Sequence, residues 1–168
     1  MRVCFDHYQT GLARKASRLA ESLVTDYYRL APREWRSMRY EVKTLNGLRS
    51  SEVADHALAQ TLCYRFCKQT ELIVIEQGDL YRICLQDHRI LEAARQLNTG
   101  LQPLLTYVLT HELVHVVRFG QQLQSLDMPY EMRHIEERNV DRTTRIILDK
   151  SGYHESAELF PEHDAGLN

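Results

Sequence analysis

No stretch of this 168-residue chain approaches the roughly 20 apolar residues needed to cross a bilayer, so no membrane-spanning helix is expected. Cysteine is sparse: Cys4, Cys63, Cys67 and Cys84. Only Cys63 and Cys67 lie close together, and no second pair completes a ribbon or finger, so a cysteine-built zinc site is not expected. Reduced, mostly buried thiols of a cytoplasmic protein are. Charge of one sign is also lacking. The net charge is −2, which gives no electrostatic basis for binding nucleic acid or an anionic membrane. The opening residues, MRVCFDHYQTGLARK, have no apolar run of the secretory-signal kind, and a cytoplasmic location is expected. Internal repeats, low-complexity tracts and linkers are absent from the sequence, so one domain is expected.

What is present is the composition of a soluble globular protein, 43% apolar and 26% charged, on a chain long enough to bury one core. Residues 8–30 repeat Leu12, Ala16, Leu19, Leu23 and Tyr27 at helical spacing, and Pro32 closes the pattern. Residues 39–45 alternate as a strand does, and Asn46-Gly47 marks a turn. Residues 52–67 are ambiguous. Ala54, Leu58, Leu62 and Phe66 fit a helix, which is the reading preferred, although 62–66 also alternate. Residues 71–77 and 79–85 flank Gly78 as a β-hairpin. A short helix is expected over 87–97. From Leu104 the chain reads LLTYVLTHELVHVVRF, apolar on nearly every side, as a buried helix does. Tyr130–Lys150 forms a further helix, with Gly152 just past its end. The expected fold is α+β, with residues 1–152 as the domain and 153–168 as a loosely ordered acidic tail.

Chemistry concentrates in HELVH, residues 111–115. Residues four apart lie one above the other on a helix, so His111 and His115 can both reach one ion. Glu112 does not join that pair easily as a ligand, but it can take a proton from a water at the ion, which is the work of a general base. The alternative is a buried helix that carries two satisfied histidines by chance. Against it stands the cost of placing two imidazoles and a carboxylate in an apolar helix with nothing to satisfy them. A catalytic zinc takes three protein ligands and keeps one position open. Arg118 and Gln121 stand where a metzincin would have its Gly and third His. Downstream, Glu137 and Asp141 are four apart and share a helix face, while Glu136 is the neighbouring rival, about 100° away around the helix.

The apolar flanks Val108, Leu109, Leu113, Val114, Val116 and Val117 resemble the extended signature of zinc peptidases. Together with the Glu137–Asp141 pair they resemble the gluzincins, at the size of the minigluzincins and of the short repressor-cleaving enzymes of the ImmA/IrrE type. The resemblance covers roughly residues 104–148. It implies a zincin-like fold: a small, twisted, mostly antiparallel sheet on an N-terminal helix and a buried HExxH helix, then a Glu-bearing helix. It implies one Zn2+ held by His111, His115 and Glu137, Glu112 as the general base, and Asp141 orienting a histidine. It implies hydrolysis of a peptide or protein substrate bound along the edge strand of that small sheet, and the hairpin 71–85 is the candidate for the sheet. Tyr130, His134, Tyr153 and His154 are the candidates for stabilising the transition state. His134 either lines the cleft or lies at the surface. Glu136 is expected to be a solvated charge. The tail, with Glu155 and His163, either covers the cleft, leaving a latent or non-catalytic zinc-binding domain, or is merely flexible. Oligomeric state has no signal in the sequence.

Overall fold

The computed structural model describes the backbone of residues 2–69, 74–125 and 127–160, and the side chains of all of these except 66–69 and 74–77. The element order is α1 (His7–Tyr28), α2 (Pro32–Ser37), β1 (Tyr40–Lys43), β2 (Ala59–Gln69), β3 (Val74–Leu85), α3 (Asp87–Gln96), α4 (Leu101–Gly120), α5 (Tyr130–Lys150) and α6 (His154–Ala157). The fold is α+β, with a three-stranded mixed sheet in the order β1-β3-β2. β1 runs parallel to β3 and β2 antiparallel to it, and β2 is an edge strand.

α4 is the central element. Thirteen of its residues are buried, including the whole of 104–110 and 112–117. Pro103 sits in its first turn, where the backbone N–H has no intrahelical acceptor to lose. α1 lies against it along the small seam Ala13, Ala16, Ala20 and Val24, which allows close approach. Asp6 caps α1, accepting from Gln9 N while the Gln9 side chain returns the bond to Asp6 N. The sheet covers another side of α4. Ala59, Tyr81, Ile83 and Leu85 join its core, and Tyr81 stacks on Phe119.

Two sequence expectations are corrected. Residues 52–67 do not form a helix. The strand β2 begins at Ala59, and residues before it run through a 3-10 turn at Ser50–Glu52. The alternation at 62–66 was the informative signal, and pairing with β3 outweighs the helical spacing of four apolar side chains. The hairpin centred on Gly78 is also absent. β3 passes straight through Gly78, which pairs with Phe66, so 71–77 and 79–85 are not two strands around a turn. The link between β2 and β3 lies outside the described residues.

The start of the tail is ordered. α6 buries Ser156 and Ala157, and Leu159 and Phe160 pack against the core. Residues 161–168, His163 among them, lie outside the described residues.

Candidate metal centre

α4 and α5 run antiparallel, as their cross-contacts show: His111 meets Asp141, His115 meets Glu137 and Arg118 meets Glu136. Rising numbers on one helix meet falling numbers on the other. The loop between them turns at Gln122, whose φ of 58° is left-handed, and Leu123 and Gln124 both donate to Arg118 O.

His111, His115 and Glu137 come together, each offering an atom within 4.8 Å of the others. The two Nε2 atoms are 3.2 Å apart. Glu137 Oε2 lies 3.5 Å from His111 Nε2, and Oε1 lies 3.3 Å from His115 Nε2. Ligands of a tetrahedral ion at zinc distances stand about 3.3 Å apart, so this spacing fits. The far sides of both rings face acceptors. His115 Nδ1 is 3.0 Å from Gln124 Oε1. His111 Nδ1 is 3.1 Å from Asp141 Oδ1 but out of line for a full hydrogen bond, which leaves that buried nitrogen under-satisfied. With both Nδ1 atoms protonated toward these acceptors, both Nε2 lone pairs point at each other and at a carboxylate. Such a cluster attracts a cation, either a proton on an imidazole or a metal ion in its place. The residues present therefore suit a divalent ion of the zinc kind.

The same electrostatics show in the proton affinities. Burial works to lower the pKa of His111, but Asp141 and Glu137 outweigh it and push it up to about 10. His115 is raised as well, burial again opposing Glu137. Glu137 and Asp141 are held below the ordinary carboxylate range by the imidazoles, against the opposing effect of burial.

Glu112 is buried, and Thr61 of β2 donates to its Oε2 at 2.7 Å. A cleft of about 610 Å3 opens over these groups. Ala57 to Thr61 and His56 form its strand side, and Tyr107, Val108, Phe119, Gln124 and Phe160 complete its wall. None of Tyr130, His134, Tyr153 and His154 lines it. Tyr130 and His134 pack on each other edge-to-face at an exposed stretch of α5, and His154 pairs with Asp149.

Glu136 is not a solvated charge. It is buried and held by both Arg118 Nε and Arg118 Nη2. The two adjacent glutamates thus face opposite tasks, one locking α5 to α4 and one entering the cleft. Sequence reasoning missed Tyr107, Thr61, Gln124 and Phe160. Tyr107 stands one helical turn before His111 and donates to Asp141 Oδ1 at 3.1 Å, so its spacing was a usable signal. Thr61 was hidden by the helix reading, and nothing in the loop sequence singles out Gln124.

No protein-family model matches the chain, and comparison with curated proteins and with solved structures likewise gives no match.

Proposed function

We propose that this chain is a zinc-dependent metallopeptidase of gluzincin type with a zincin-like fold, acting in the cytoplasm on peptide or protein substrates. The observation that carries the reading is the convergence of His111 Nε2, His115 Nε2 and the Glu137 carboxylate beside a separate buried carboxylate, Glu112, at the floor of one cleft. A purely structural ion has no use for that fourth group. A bound zinc ion supplies Lewis-acid polarisation of a carbonyl and a lowered pKa for water. Glu112 takes the proton of the attacking water and returns it to the departing amine. Gln124 holds the His115 imidazole in the tautomer that offers Nε2, Asp141 faces His111 Nδ1 and favours the same tautomer there, and Tyr107 in turn holds Asp141. The strand suited to pair with an extended substrate is β2, the edge strand of the described sheet whose residues 59–61 line the cleft.

Glu112→Gln tests this reading. The variant is expected to bind zinc as the parent does and to lose casein and peptide hydrolysis. Equal cleavage by variant and parent would remove Glu112 from the mechanism.

One observation favours a second reading, a latent form. Phe160 lines the cleft, packs on Tyr107 with ring centroids 4.7 Å apart, and its carbonyl accepts from Arg145 Nη1 at 2.7 Å. Truncation after Leu159 keeps α6 and removes this wall. A gain in casein cleavage supports latency, and unchanged or lower activity refutes it.

A further inference from the structure

Glu112 has one hydrogen-bond donor among the described residues, the hydroxyl of Thr61. The donor comes from the sheet, 51 residues away in sequence. In β2, side chains alternate between two faces. Gln60 and Tyr64 turn to the face where Glu52 and Arg82 lie, Gln60 Nε2 donating to Glu52 O and Tyr64 Oη to Glu52 Oε1. Ala59, Thr61 and Cys63 turn to the other, opposite Leu85, Ile83 and Tyr81, and meet α4. Between two apolar neighbours on that core face stands a hydroxyl, and it stands where the Glu112 carboxylate is. A valine would fill the same volume and suit the strand better.

We propose that Thr61 is the positioning residue of Glu112. Its hydroxyl holds Oε2 and fixes the carboxylate plane, leaving Oε1 with no protein donor among the described residues. This rests on the reading of Glu112 as general base. A β-branched side chain is stiff at χ1, so the strand backbone fixes the hydroxyl and the hydroxyl fixes the base. The 2.7 Å separation is that of a well-formed O–H···O hydrogen bond. The hydroxyl also serves both states of a proton carrier. It donates to the carboxylate, and it can turn and accept from the carboxylic acid once Glu112 has taken a proton. The same strand is an edge strand of the described sheet, and its residues 59–61 line the cleft. A peptide that pairs with β2 therefore settles the strand that aims the base, and binding in register is linked to alignment of Glu112.

The experiment compares Thr61→Val and Thr61→Ser with the parent and with Glu112→Gln. Zinc affinity is measured by competition with a chromophoric chelator, and kcat and KM on casein and a quenched fluorescent peptide pool. Crystal structures of the zinc-loaded variants give the Glu112 rotamer. Thr61→Val is expected to keep zinc affinity and KM and to lose kcat about tenfold to a hundredfold, the scale of a hydrogen bond to a charged group. Its Glu112 side chain is expected to leave the parental rotamer. Thr61→Ser is expected to restore the rotamer and most of kcat. Parental kcat with Glu112 undisturbed in Thr61→Val overturns the proposal, and so does a serine variant as impaired as the valine one. If the parent and Glu112→Gln cleave equally little, the peptidase reading fails, and the rotamer comparison still decides the role of Thr61. Should the valine variant not fold, Thr61→Ala takes its place.

Discussion

Glu136 and Glu137 are chain neighbours with opposite environments, and exchanging their roles is the sharpest test of the centre. Glu137 has a side chain about half exposed (53%) that faces two imidazoles, whereas the Glu136 side chain is 7% exposed and forked by Arg118. Removing one zinc ligand forfeits roughly a quarter of the 10–16 kcal/mol of a full protein site, on the order of 3 kcal/mol, or about a hundredfold or more in affinity. Glu137→Ala is expected to lose zinc on this scale. Its metal-free stability is expected to change by about 1 kcal/mol or less, since a half-exposed pair contributes little. Glu136→Ala leaves the partly buried Arg118 guanidinium without its carboxylate, with the Tyr28 hydroxyl beside it, which costs about 2–3 kcal/mol. At this chain length that lowers Tm by on the order of 10 °C. Chelator competition reads the first effect, and thermal melts in excess EDTA read the second. Parental zinc affinity in Glu137→Ala, or a zinc loss in Glu136→Ala at unchanged Tm, would refute the assignment of the two helix faces.

Gln124→Ala removes the acceptor at His115 Nδ1, and zinc affinity is expected to fall about tenfold with Tm little changed; an unaltered affinity in chelator competition removes Gln124 from the site. Glu52 is fully enclosed, and its pKa is lowered from 4.5 to about 2 by the Tyr64 hydroxyl, the Arg49 N–H and Arg82. A depressed folded pKa gives stability that is present above pH 4.5 and is lost as pH falls through 2. Urea midpoints measured between these limits should therefore fall more steeply for the parent than for Glu52→Gln, and parallel profiles would contradict this. A Cβ on Gly120 would run into Cγ and Sδ of the buried Met38. Gly120→Ala should cost about 1–3 kcal/mol although alanine is the better helix former, and a raised Tm would count against so tight a contact.

Much of the helical framework was legible in sequence. α5 has the bounds its periodicity implies, and α1, α3 and α4 fall within a few residues of theirs, because a helix is written in contacts three and four residues apart. The sheet was read less well. The residues before β2 have helical spacing of their own, and Gly78 resembles a turn until Phe66 is known to lie opposite it. Strand pairing is a long-range fact, and local spacing cannot express it. The grouping of His111, His115 and Glu137 followed the i,i+4 rule together with the gluzincin resemblance, and the structure brings those groups together.

What the sequence determined by itself was the buried helix bearing two histidines and a carboxylate, and a later helix bearing two acids four residues apart. Those features depend only on helical geometry and on the cost of leaving polar groups unsatisfied in an apolar segment. The tertiary structure decided which of two adjacent glutamates enters the cleft, which loop amide meets His115, and that a threonine of the edge strand holds Glu112. These depend on how helices and sheet pack across gaps of 9 to 51 residues, and such packing is settled by the whole core rather than by any local run.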